Sequence, residues 1–380
     1  MRQYIIFCLI MFTIMILGYL YKFEEIENMS NPSNHCKNLE IMKNKISSVD
    51  YDNKIYCNNI RDFYVKTAYN CCATGDLKNG LVDICAMKNC IKQGVRCLDF
   101  GIYNIDLAPE VAVSDKDTFL LKGSLNSIPL DHVLTAINDN AFNPNVCPNS
   151  TDPLFLHLRI KSGEESIYTK IANLLELYLS DKLLDTQKYG HEYYNSSDDT
   201  HKNIGALPLN HPDIKGKIII MVQINNKIDL KDTHLDKYAN ITSVPSDLDL
   251  EKKTNAAPFL SCKYNNEIIN THSMNNVVNN NKHHMTICLP DLSKIPNNPN
   301  PTTLKLYGCQ FIAMSFQKYD TNLEIYNTLF DRQAFILKPK HLRYIKQYVE
   351  RAKDNPPHIG LGTCGKIEIY GPASQKEYHI

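Results

Sequence analysis

The chain has no tryptophan and no surplus of charge: 41 Lys and Arg balance 41 Asp and Glu across 380 residues. Without a basic excess there is no electrostatic footprint for nucleic acid, and none is expected as a partner. No pair among the 13 cysteines has zinc-ligand spacing with matching partners, which argues against a structural metal module. No internal repeat is evident. What remains is ordinary for a folded domain: 43% hydrophobic and 22% charged residues, in a length that suits one large α/β barrel or two smaller domains. Asparagine is abundant, roughly one residue in ten, and peaks in "NNVVNNNKHH". With the missing tryptophan it points to an AT-rich coding sequence, compatible with a protist or viral origin, more than to a function.

The N-terminus carries an uncharged apolar run, "YIIFCLIMFTIMILGYLY" from Tyr4 to Tyr21. As a helix it would rise about 27 Å, near the thickness of the hydrocarbon core. No small-residue cleavage site follows it, so an uncleaved anchor is expected rather than a signal peptide. Basic residues flank it almost evenly, which leaves the orientation open. After this run come 12 cysteines and four N-x-S/T sequons at Asn28, Asn149, Asn195 and Asn240. A single-pass membrane protein with a lumenal, extracellular or virion-surface domain is therefore expected, with either disulfides or reduced buried cysteines.

Along the chain the reading is a membrane anchor over 1–22 and a polar stalk over 23–58. Short apolar runs then recur: "DFYVKTAYN", "GVRCLDFGIY", "EVAVSD", "DPLFLHLRI", "GKIIIMVQI", "MTICL", "CQFIAMSF" and "AFILK". These β-branched, aromatic-rich stretches read as buried parallel strands. Amphipathic segments separate several of them, such as the one carrying Ile167, Ile171, Leu174, Leu175 and Tyr178 at helical spacing. Strands alternating with helices predict an α/β fold, a (β/α)8 TIM-type barrel. The halves are set at 59–225 and 286–346, with 226–285 as an Asn-rich connection and 347–380 as a tail without a C2 domain.

The strands also carry a family pattern. The chain resembles the catalytic barrel of phosphoinositide-specific phospholipase C, over roughly residues 60–345. "KTAYNCCATGDL" is similar to the family's S-S-H-N-T-Y-L-T-G-D loop, and "CIKQGVRCLDFGIYN" to its G-C-R-C-V-E-L-D-x-W segment. "DPLFLHLRIKSG" resembles P-V-I-L-S-L-E-N-H, and "LPLNHPDIKGKIIIMVQIN" resembles L-P-S-P-x-x-L-K-G-K-I-L-x-K-x-K. In the second half, "GCQFIAMSFQKYDTNLEIYNTLFDRQAFILKP" is similar to G-C-Q-M-V-A-L-N-F-Q-T…G-Y-V-L-K-P. The resemblance implies a phosphoric diester hydrolase of lipid metabolism and signalling. Its site would hold two catalytic histidines, a calcium ion on four oxygen ligands, and basic residues on the substrate phosphate.

Carried over residue by residue, that site is largely replaced. The first histidine falls on Tyr69, whose phenol, with an ordinary pKa of about 10, exchanges protons poorly near pH 7. The second falls on Ser114. Of the calcium ligands, Asn70 is kept, one carboxylate shortens to Asp99, one becomes Gly101, and the last becomes Arg159. The phosphate-binding lysines fall on Met221 and Gln223, and the arginine of the second half falls near Leu329, beside a retained Phe330. Loss of acid–base groups alone costs about 10²–10⁴-fold. No cofactor is expected. Calcium, on Asn70 and Asp99, would follow only if the chain is an active diesterase with a rebuilt site using Tyr69, Asp99 and Lys116.

On "LFLHLRI" the strand alternation puts His157 and Arg159 on one face. A buried guanidinium needs a partner, and Asp99 on the neighbouring strand is the expected one, with Asn70 nearby. Lys116 is either a residual phosphate contact or a charged loop residue. His132 reads as a helix-surface residue, and His283 and His284 as a solvated loop. Cys71 and Cys72 read as packing or as one end of a disulfide, to Cys97 or Cys85. The expected role is a phospholipase C-like pseudoenzyme, a membrane-anchored binding or structural module for a phospholipid headgroup or a protein partner.

Overall fold

Uninterrupted apolar runs that alternate between a strand-lined interior and a helical shell close on themselves in this chain. The computed structural model describes residues 11–19, 36, 45–117, 122–191, 203–224, 228–244 and 260–345. Eleven strands form one sheet: β1 (Phe63–Ala68), β2 (Cys97–Ile105), β3 (Ala108–Ala112), β4 (Ile128–Pro129), β5 (Leu154–Lys161), β6 (Ile218–Gln223), β7 (Ile241–Val244), β8 (Leu260–Tyr264), β9 (Met285–Leu289), β10 (Phe311–Met314) and β11 (Phe335–Leu337). Eight of them, β1, β2 and β5 to β10, pair in parallel around a ring, and β1 pairs with both β2 and β10 to close it. This is the expected TIM-type barrel.

Six of the eight barrel strands are the runs marked in the sequence. Two marked runs lie outside the ring. "EVAVSD" overlaps β3, which turns back antiparallel on β2, and "AFILK" holds β11, antiparallel to β1. The two remaining barrel strands, β7 and β8, come from 226–285, the stretch read as a connection. They are short and carry Ser243, Ser261 and Lys263, so their apolar signal is diluted. Enclosure by neighbouring strands on both sides outweighs that weak local preference.

Helices pack outside the barrel by their apolar faces. α1 (Ile84–Lys92) starts on Asp83, whose side chain accepts from the Cys85 N–H. α2 (Leu130–Asn140) buries Leu130, Val133, Leu134 and Ile137 and leaves His132 exposed. In α3 (Glu165–Leu179), Ile167, Ile171 and Leu175 are buried, with Leu174 and Tyr178 packed at the edge of the core. Four shorter helices and one of ten residues follow: α4 (Thr186–Tyr189), α5 (Asn265–Ile269), α6 (Met274–His283), α7 (Pro301–Leu306) and α8 (Thr321–Leu329).

The expected membrane-spanning helix over 1–22 and the single-pass membrane localisation are corrected. Among the described residues no helix is long and apolar enough to cross a membrane. The described part of the apolar run is helix 11–19. Residues 1–10 and 20–22 lie outside the described residues, as does the tail from 347 and most of the stalk.

Two of the four sequons have structural rather than surface asparagines. Asn149 is fully buried, accepts from Arg96 Nη2 at 3.2 Å and donates to Gly94 O and Asp152 Oδ2. Asn240 is equally buried: its Oδ1 accepts from Ile220 N at 2.9 Å, and its Nδ2 donates to Tyr189 O at 3.0 Å and Leu184 O at 3.4 Å. Asn28 and Asn195 lie outside the described residues. Cys36 is joined to Cys85 in a disulfide, whereas Cys71, Cys72 and Cys97 are free and buried, so the Cys71–Cys72 pair serves packing.

Asn240→Ala would strand three buried backbone groups at once. We predict a loss of about 3 kcal/mol, read as a lower urea midpoint at unchanged slope. Intact mass of protein made in glycosylating cells should show no glycan on Asn240 or Asn149.

Candidate functional site

Paired residues on parallel neighbours point to the same side of a sheet, so the register defines layers inside the barrel. Phe155 and Phe311 meet across the interior, with ring centroids 5.2 Å apart. Two residues further along, Asp99, His157, Met221 and Ile241 are in register, and two further again come Gly101, Arg159, Gln223 and Ser243. The second and third layers lie toward the C-terminal ends of the strands, the end where TIM barrels carry their sites. There the apolar filling gives way to a polar cluster.

Asp99 is its centre. The carboxylate is fully buried and takes four donors: Arg159 Nε at 2.8 Å and His157 Nδ1 at 2.8 Å on Oδ1, Arg159 Nη2 at 2.9 Å and the Asn70 N–H at 3.0 Å on Oδ2. Because the carboxylate only accepts, His157 holds its proton on Nδ1. Arg159 Nη2 also donates to Asn70 Oδ1 at 2.5 Å, and its guanidinium carbon sits 5.1 Å from the centre of the Tyr69 ring. Asn70 adopts a left-handed backbone (φ 44°), the conformation that turns its N–H onto Asp99. Asparagine tolerates it better than most side chains.

These contacts set the protonation states. Burial alone would raise the Asp99 carboxyl, but the Arg159 guanidinium and the His157 bond outweigh it and hold the group well below the carboxylate range. Burial lowers His157, against the pull of Asp99, which favours the neutral ring. Burial raises the Tyr69 phenol above its ordinary value, with Arg159 opposing. Nearer the rim, Lys161 pairs with Asp117, whose carboxyl burial would raise but Lys161 lowers. Burial pushes the Cys262 thiol on β8 up to about 12.

Sequence comparison agrees with this fold. The description "Phosphatidylinositol-specific phospholipase C, X domain" matches residues 57–223, and "Y domain" of the same enzyme matches residues 235–341. Together the two matches take in well over half of the chain. The chain belongs to the phosphatidylinositol-specific phospholipase C family. Among solved structures, the barrel is similar to PLC21 of S. officinalis (16% identity, TM-score 0.59) and to PLC21 of L. pealei (17% identity, TM-score 0.60). These alignments cover 77% and 78% of this chain but only 39% of each of the other chains. At such identity the likeness is one of fold. No curated protein sequence matches the chain.

Within this phospholipase C-family barrel, Tyr69, Asn70, Asp99 and Arg159 are brought together. Ser114 is buried nearby, close to Tyr103. Lys116 is not brought in: its side chain is exposed, and its backbone N–H donates to Ser114 Oγ. Met221 and Gln223 face the interior as buried neighbours of His157 and Arg159. Leu329 and Phe330 belong instead to the layer between α8 and strands β9 and β10. His283 and His284 pack about Tyr344 and Arg61 rather than standing in a solvated loop. His157, Lys161 and Asp117 were missed as site residues. The signal for the first two was present, since "HLRIK" alternates His157, Arg159 and Lys161 onto one face.

The calcium ion that the family implies does not fit these donors. A hard divalent cation takes about six to eight oxygens. Here both Asp99 oxygens and Asn70 Oδ1 already face the Arg159 guanidinium. A β-carbon on Gly101 would meet Ala112 O at 3.0 Å and the Tyr103 ring at 3.2 Å, so a carboxylate cannot return there without movement. Among the described residues one cluster has three metal-capable groups, Cys36, Asp83 and Cys85, and its two sulfurs are bonded to each other.

Asp99→Asn would leave a buried guanidinium without its counter-charge. We predict a loss of about 3–5 kcal/mol, partly recovered in Asp99→Asn/Arg159→Met. With the folded carboxyl below its ordinary 3.8, its contribution is present above that pH and lost as pH falls through the folded value. Acid denaturation profiles of the wild type should therefore fall more steeply below about pH 4 than those of Asp99→Asn.

Proposed function

We propose that this phospholipase C-fold barrel is catalytically silent and serves as a binding or structural module. The observation that carries this reading is the Asp99–Arg159–Asn70 cluster. A side-chain cation sits among the oxygens that the family resemblance assigns to calcium, and it is buried with them. Around it, Tyr69 and Ser114 supply no group that exchanges protons near pH 7. Met221 and Gln223 supply no charge for a phosphate. A protein partner suits this surface better than a phosphorylated headgroup.

One observation favours the alternative, a phosphoric diester hydrolase with rebuilt chemistry. His157 is held by Asp99 through Nδ1, and among the described residues its Nε2 has no hydrogen-bond partner. An imidazole oriented by a carboxylate is a general-base arrangement. Against it, His157 is fully buried, and burial keeps its pKa low. No substrate atom reaches a group in that position without the cluster opening.

The test is turnover of phosphatidylinositol and its phosphates in vesicles, with millimolar calcium. The expected result is no release of inositol phosphate above the rate without protein. Turnover that disappears in Asp99→Asn, Tyr69→Phe or His157→Gln would overturn the silent reading in favour of the rebuilt site.

A further inference from the structure

Helix α5, which follows β8, and the loop after β9 form a half-open groove of about 540 Å³ against α7 and α8, within the usual size of small-ligand sites. It adjoins the barrel mouth. Tyr264 ends β8 with its phenol toward Asp117, and the next residue, Asn265, turns into the groove. Six asparagines line it: Asn265, Asn266, Asn297, Asn298, Asn300 and Asn322.

Internal bonds use one half of several of these amides and leave the other half for a ligand. Asn300 Oδ1 accepts from the Thr302 and Thr303 N–H groups at the start of α7, leaving its NH2. Asn297 Oδ1 accepts from Lys318, likewise leaving its NH2. Asn265 donates to Asp291 at 3.0 Å and Asn322 donates to Asn298 O at 2.8 Å, leaving two carbonyl acceptors. Asn298 itself is buried and fully bonded, and it fixes the wall. Residues with donors and acceptors left over thus line one space.

The charge and the floor narrow the ligand. Neither lysine nor arginine lines the groove, and its one ion is Asp291, which accepts from Asn265 and from the Asn266 N–H. A phosphate would meet the Asp291 carboxylate, while the ammonium of Lys318 at the groove's edge is already donating to Asn297 Oδ1. Ile269 and Leu292 are part-exposed at 39% and 37%, giving the polar walls an apolar strip. Each hydroxyl of a vicinal diol both donates and accepts, matching the split amides, while C–H faces match the strip.

We propose that this groove binds a neutral saccharide through the free halves of Asn265, Asn297, Asn300 and Asn322. The site lies beside the barrel mouth, shares no lining residue with the Arg159 cluster, and requires no turnover there.

Saturation-transfer NMR on the whole protein tests it, using methyl α-mannoside, methyl β-galactoside, N-acetylglucosamine and maltotriose, with mannose phosphate and inositol phosphate as anionic probes. At least one neutral saccharide should give transfer, and the phosphates should bind more weakly. Ser293 lines the groove on an exposed loop, so Ser293→Trp should abolish the signal with the melting temperature unchanged. Asn297→Ala should raise Kd roughly three- to tenfold, the loss of one hydrogen bond. Absence of transfer from all four neutral probes, transfer that survives Ser293→Trp at full strength, or tighter binding of the phosphates would overturn the proposal.

Discussion

One buried carboxylate organises the mouth of this barrel. Asp99 accepts from two side chains of β5 and from the backbone after β1, and so ties three elements on neighbouring strands. A buried ion pair adds little net stability over a well-packed apolar pair, yet breaking it by halves is costly, because the survivor is left charged in a poor solvent. That asymmetry constrains everything nearby. Asn70 must keep its left-handed turn, Gly101 must stay without a side chain, and Arg159 must stay extended across Asp99.

The same constraint bears on function. In a metal-dependent site the carboxylates need a hard cation that enters and leaves with solvent. A guanidinium bonded to Asp99 and Asn70 supplies the positive charge permanently, in a fixed plane, with no open coordination position. On the proposed reading, the architecture of the family is kept while its ionic logic is closed off.

How much of this was legible in the sequence depends on how much of each signal is local. Six barrel strands carry continuous apolar runs and could be read directly, whereas β7 and β8 are short, contain serine and lysine, and gain their strand state from neighbours. The Asp99–Arg159 contact followed from alternation on β5 and a charge-pairing argument. His157 stands on the same face, but nothing in the sequence tells that it would bond Asp99 rather than fill space. Lys116 lies only two residues beyond buried Ser114, yet it is exposed, because the loop after β3 imposes no alternation. The sequons at Asn149 and Asn240 match a surface motif, but burial and three-dimensional hydrogen bonding give both asparagines structural roles. The apolar N-terminal run reads as a span by composition, yet among the described residues no helix is long and apolar enough to cross a membrane.

The central claim is that Arg159 has taken the place of the metal ion. Thermal melts and titration calorimetry with calcium test it on the wild type and on Arg159→Glu. The account predicts no heat of binding and a melting temperature independent of calcium for the wild type. It predicts that Arg159→Glu, with two carboxylates facing each other, melts lower and is raised by calcium. Saturable calcium binding by the wild-type protein, lost in Asp99→Asn, would contradict it.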